Sequence, residues 1–209
     1  MDWIPFVEAR QARYAESHGE LDERGLVRRG NVAYAAALGL LMLGEREEAA
    51  TWFRRAAARW RESWRGGDSW GRPIGALKAS LLAGDEPAVE ELARWTLELG
   101  TATAESPIGR YAGALALLAL ERWPEARHVV ESLRERDDFP HDVADALAYV
   151  SADDVVGLTE ALESVVESFE TRSEYLEDVP VADTALVLAL LARRHGIEVP
   201  LPESAVLPG

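Results

Sequence analysis

The chain has 209 residues, a formal net charge of −15, 48% hydrophobic and 28% charged residues, and no cysteine. That composition belongs to a folded globular protein rather than a disordered one, and it excludes disulfides and thiolate metal sites. No apolar run approaches the roughly 20 residues of a membrane span, and the opening MDWIPFVEAR lacks an apolar signal core, which predicts a cytoplasmic protein.

Taken in chain order, the apolar spacing is helical almost throughout and predicts an all-α protein with little or no sheet. The first helix is expected over 4–17. The second, over 21–43, contains YAAALGLLMLG, too short for a bilayer and suited to a buried helix; Gly25 and Gly30 are the two positions where it would break. The third spans 45–65 and carries TWFRRAAARWRESWR, five arginines and three tryptophans in fifteen residues. On a helical wheel Trp52, Ala56, Trp60 and Trp64 form one stripe, widened by Phe53 and Ala57, with Arg54, Arg61 and Arg65 beyond one edge and Arg55 and Arg59 beyond the other. The stripe reads as core, ahead of a protein-partner contact and well ahead of nucleic acid.

Next comes GGDSWGRPIGALK, where Trp70, Arg72 and the only lysine, Lys78, fall together. Loops carrying an aromatic and bases on a rigid scaffold are common binding positions, and a hairpin connection with Trp70 tucked inward is the plainer alternative. Helices follow over 72–83, 86–99, 106–120, 123–135, 141–151, 153–170 and 181–195. Gly44, Gly84, Gly100 and Gly196 each end an apolar run as a C-terminal cap does; Pro87 and Pro124 sit at helix starts; Asp153 or Asp154 serves as an N-cap. In the helix over 153–170, Glu160, Glu163, Glu167 and Glu170 recur opposite the apolar stripe. YLEDVPV then places Tyr175, Glu177 and Asp178 on an extended link, with Pro180 opening the last helix. Residues 197–209 are expected as an extended tail over the surface. All 209 residues form a single domain, with a sub-boundary expected near 100–105.

Charge divides the chain. Residues 1–80 hold 13 Lys+Arg against 11 Asp+Glu, whereas 81–209 hold 9 against 26. Between 137 and 190 the sole basic residue is Arg172, against 14 acids. A field of that sign repels phosphate backbones and attracts basic surfaces.

Catalytic signatures are missing: there is no G-x-S-x-G elbow, phosphate-binding glycine loop or H-E-x-x-H. The histidines are His18, His128, His141 and His195. Glu125 and His128 give one Glu-x-x-His, with His141, Asp142 and Asp145 further on, but a carboxylate-bridged metal site wants that motif twice. The sequence therefore predicts no catalytic residues, no metal and no cofactor.

Two resemblances emerge. LGEREEAATWFRRA, after the helix of Ala37 and with Ala49, Phe53 and Ala56 where paired helices approach, resembles a tetratricopeptide repeat; LLAGDEPAVEELARW and ALERWPEARHVVESL are looser versions at irregular period. This implies antiparallel helical hairpins stacked in a tetratricopeptide-like right-handed superhelix. R-x-x-Y-L-E-D-x-P-V-A-D-T, together with SWGRPIGALKASLLAGD, is similar to the bacterial toxin immunity protein 49 family. That resemblance implies a small cytoplasmic protein that binds and neutralises a toxin, with no catalytic residues. The expected partner is a protein with a basic surface, met by Glu160, Glu163, Glu167, Glu170, Glu177 and Asp178; a helical scaffold or adaptor and a metal-dependent bundle enzyme are the alternatives. Monomer and homodimer both remain open.

Overall fold

The computed structural model describes residues 1–16, 21–67 and 69–209. Among them are ten α-helices and no strand: α1 (Trp3–Glu16), α2 (Glu23–Met42), α3 (Arg46–Ser63), α4 (Gly71–Ala83), α5 (Glu86–Glu98), α6 (Pro107–Ala119), α7 (Trp123–Arg134), α8 (His141–Ala152), α9 (Val155–Thr171) and α10 (Asp183–Arg194). None of the described helices is long and apolar enough to cross a membrane. Position 17, His18 and Asp68 lie outside the described residues. α2 runs unbroken through Gly25 and Gly30, because both face side chains rather than a bend: a Cβ on Gly30 would stand 2.8 Å from Trp60 Nε1.

The ends follow from local chemistry. Asp22, Asp85, Ser106 and Asp154 cap α2, α5, α6 and α9 by accepting from backbone amides one turn ahead, supplying partners for otherwise orphaned N–H groups. Pro87, Pro107 and Pro124 occupy first-turn positions where an amide hydrogen is not needed. Gly44, Gly84, Gly100 and Gly196 turn the chain at positive φ, the conformation a side chain resists. Asp153 takes the same role after α8, with φ 61°, so of the two aspartates one ends a helix and the next starts one.

Successive helices pack on one another through short turns, which makes them antiparallel neighbours. Two kinds alternate. α2 and α6 are buried over nearly a whole circumference, from Val32 to Leu40 and from Tyr111 to Ala119, and their alanines and glycines let neighbours approach. α3, α5, α7 and α9 each bury a single stripe, such as Leu158, Leu162, Val165 and Phe169 on α9. In a simple solenoid each repeat would touch only its neighbours. Here α10 instead packs against α4, α6, α8 and α9 together, and Arg194 at its end reaches Glu86 and the carbonyl of Ala119.

Two expectations need correcting. The last helix starts at Asp183 rather than at 181, because the amide of Ala182 donates to the carbonyl of Val206, 2.8 Å away; Pro180 belongs to the link. That same bond fixes the tail, which is extended but not merely superficial: Val206 and Leu207 are buried in the core that begins at Val7.

Candidate functional site

The only lysine lies where a lysine is least expected. On α4 it stands among buried Ala76, Leu77, Ala79 and Ser80, and Lys78 itself is 8% exposed. A charge so placed needs a partner. Asp183, in the first turn of α10 where a helix favours negative charge, supplies it: Lys78 Nζ stands 2.7 Å from Asp183 Oδ2 and donates to Thr184 Oγ1 at 3.1 Å. The Tyr34 hydroxyl of α2 donates to the same Asp183 oxygen at 2.6 Å, and Thr184 Oγ1 donates to Asp183 Oδ1 at 3.3 Å. Burial, then the neighbouring carboxylate of Asp183, holds the Tyr34 phenol well above its ordinary range. Tyr111 is raised by the same two causes in the same order. Helices remote in sequence thus meet at one polar knot inside an apolar body.

The knot floors two adjoining cavities of about 580 and 520 Å³, both lined by Tyr34, Lys78, Leu176 and Asp183. Trp60 walls the larger one. Its ring is clamped between Gly30 and Gly75, where a Cβ on either would fall 2.8 Å from the indole, and its Nε1 donates to Asn31 Oδ1 at 3.0 Å. Trp70 is part of the same wall; it packs on Trp64 with ring centres 5.9 Å apart, and its Nε1 is buried without a hydrogen-bond partner. Ile108 and Leu176 also line this cavity and are 43% and 52% exposed. A larger opening of about 670 Å³ near His128 is shallower in chemistry: its Arg122 and Glu125 already pair at the surface, which lowers the Glu125 carboxyl and raises Arg122.

The residues singled out from sequence separate into three groups. Trp70 and Lys78 share the cavity with Arg72, whose guanidinium is held by the Ser63 carbonyl at 2.8 Å and by the Glu23 carboxylate. Tyr175 lines the second cavity, and its hydroxyl donates to the carbonyl of Phe169, with the Arg172 carbonyl 3.1 Å away. The link after it is not simply extended: Leu176–Asp178 forms a 3-10 turn in which Glu177 and Asp178 both take positive φ, 54° and 60°. This strained turn is tied down by α1. Arg10 donates to the Glu177 carbonyl at 2.8 Å, and Arg13 lies 2.7 Å from the Glu177 carboxylate. Asp178 lies 3.9 Å from Arg10, with its side chain 92% exposed.

The third group is the α9 face. Glu160, Glu163, Glu167 and Glu170 are all exposed. Among the described residues none of the four is in an ion pair; Glu170 alone accepts a bond, from Ser204. Arg172, the one basic residue nearby, stacks on Phe169 and bonds Ser168 instead.

The five arginines between Thr51 and Arg65 are held in several ways. Among the described residues only Arg54 of the five meets an acid from a later element, Asp85 at 3.0 Å. Arg55 and Arg61 lie over the rings of Trp52 and Trp95 at 4.3 and 4.1 Å, Arg59 pairs with Glu62, and Arg65 bonds local carbonyls. Trp52 and Trp60 are buried and Trp64 is half-buried, so the stripe is core.

Among the described residues no three histidine or acidic side chains converge as metal ligands; Asp145 is engaged by Arg134, and His195 stacks on Trp123 at 3.9 Å. Tyr34, Asn31, Asp183 and Thr184 were not identifiable as site residues from the sequence. The signal for an acid was nonetheless present: a lone lysine within an apolar helix requires one. Set against protein-family models, curated proteins and solved structures, the chain matches none.

Proposed function

We propose that this chain is a protein-binding helical module of tetratricopeptide-like, right-handed stacking, acting in the cytoplasm as an immunity-type inhibitor of a basic toxin. In this role it performs no catalytic step and binds no nucleic acid. One observation carries the proposal: among the described residues α9 holds Glu160, Glu163 and Glu167 exposed and in no ion pair, at three- and four-residue steps along one helix. Unneutralised like charge along one face steers a basic partner and raises its association rate in a salt-dependent way.

The test is co-expression with basic toxin-like polypeptides encoded beside this gene. Protection by the wild type, lost in a Glu160→Gln, Glu163→Gln, Glu167→Gln variant that folds normally, is the expected result. Equal protection by both, or a complex whose affinity is the same in low and high salt, would overturn it.

A further inference from the structure

We infer that the cavity floored by Lys78 and walled by Asn31, Trp60 and Trp70 is a binding site for an apolar carboxylate: an acid group carried on an aliphatic or aromatic body. This stands apart from the α9 face and does not depend on it.

The first ground is a donor and acceptor inventory. Asp183 Oδ2 already accepts from Lys78 and Tyr34, and Oδ1 accepts from Thr184. Lys78 has three ammonium hydrogens and two protein acceptors. Asn31 gives its Oδ1 to Trp60, and its amide hydrogens have no bond among the described residues. Trp70 Nε1 is buried and unpartnered. Unused donor hydrogens on Lys78 and Asn31 thus outnumber the one lone pair left on Asp183. An incoming group must therefore accept, and a carboxylate has about four lone-pair sites to offer.

The second ground is charge. The lining cations, Arg72 and Lys78, are each paired, with Glu23 and Asp183, so no unmatched acid opposes a carboxylate there, inside a protein of net charge −15. The third is shape: about 580 Å³ falls within the range of small-ligand sites, and Trp60, Ile74, Ile108 and Leu176 offer apolar surface beside the donors.

A carboxylate of this kind comes either from a free organic acid or from the C-terminus of a peptide ending in an apolar residue. Fluorescence titration of the intact protein, read through the tryptophans, uses 4-phenylbutyrate and the tripeptide Gly-Leu-Phe, each beside its amide. Saturable binding of either acid, about ten- to a hundredfold tighter than its amide, is the expected result; which acid binds identifies the source. Lys78→Met removes a donor but also breaks a buried pair, so Asn31→Asp is the decisive variant. It keeps an acceptor for Trp60 and deletes the free amide hydrogens, and is expected to weaken the acid by about tenfold or more with little effect on the amide. No saturable binding by either acid, equal binding of acid and amide, or an unaffected Asn31→Asp protein would each overturn the proposal.

Discussion

The centre of the molecule and the outer face of α9 treat charge in opposite ways. At the centre Lys78 and Tyr34 are buried against a half-buried Asp183, the two charges answering each other at 2.7 Å. On α9, Glu160, Glu163 and Glu167 stand exposed and, among the described residues, in no ion pair. Burial makes the first arrangement obligatory, since an isolated ion there would lose its hydration for nothing. Exposure makes the second inexpensive and leaves it free for an external partner. The number of charges in a region therefore says less than whether each is already matched.

The largest effect expected from breaking the central arrangement comes from its aromatic wall. Trp60 is 4% exposed and clamped by two glycines, a fit that no smaller side chain fills. Trp60→Ala should lower the unfolding free energy by about 3–5 kcal/mol in urea titration. A loss under about 1 kcal/mol would mean that the clamp is loose.

Close behind it, Asp183→Ala leaves Lys78 charged, buried and unpaired, at a cost of about 3 kcal/mol. Replacing both, as Lys78→Met with Asp183→Leu, should recover most of that loss, because a buried pair gains little over apolar residues of similar volume. A double variant no more stable than Asp183→Ala would show that the bonds to Tyr34 and Thr184, rather than the charge pair, hold the centre.

Alkali probes the same centre without mutation. Burial raises both Tyr34 and Tyr111 above the ordinary value of 10.0. A raised folded pKa contributes stability that is complete below the unfolded value and is lost as pH rises beyond it. Of the five tyrosines, two should therefore stay protonated above pH 10 and ionise only as the fold opens. Tyrosinate absorbance followed beside far-UV circular dichroism checks this: all five titrating together before any loss of helix would contradict the burial of the site.

Periodicity and capping residues made the helices legible, with ends displaced by only one or two residues, because a helix is specified by neighbours along the chain. α10 was legible as a helix but not as the element that crosses α4, α6 and α8, since its apolar face is compatible with any other. The site was half legible. Trp70 and Lys78 stood out by type, yet Asp183 and Tyr34 lie 105 and 44 residues from Lys78 in the chain; the V-A-D-T ending of the resemblance motif contains Asp183 without linking it to a lysine. Arg72 and Glu177 looked available for a partner, but internal bonds hold both; a sequence shows a charge without showing whether it is taken.

The smallest effect belongs to α9 and bears most on function. Glu160 and Glu163, Glu163 and Glu167, and Glu167 and Glu170 are three or four apart on one helix, spacings at which like charges repel by about 0.2–0.5 kcal/mol per pair. The triple variant Glu160→Gln, Glu163→Gln, Glu167→Gln should consequently be slightly more stable than the wild type, by about 0.6–1.5 kcal/mol at low ionic strength, with the gain shrinking as salt screens the repulsion. Urea unfolding at two salt concentrations measures it. A face that lowers stability while making no internal contact has no role in holding the fold, so a gain of this sign is what a surface kept for an external partner requires. If the variant is instead destabilised, the glutamates support the helix themselves, and the contrast with the buried centre disappears.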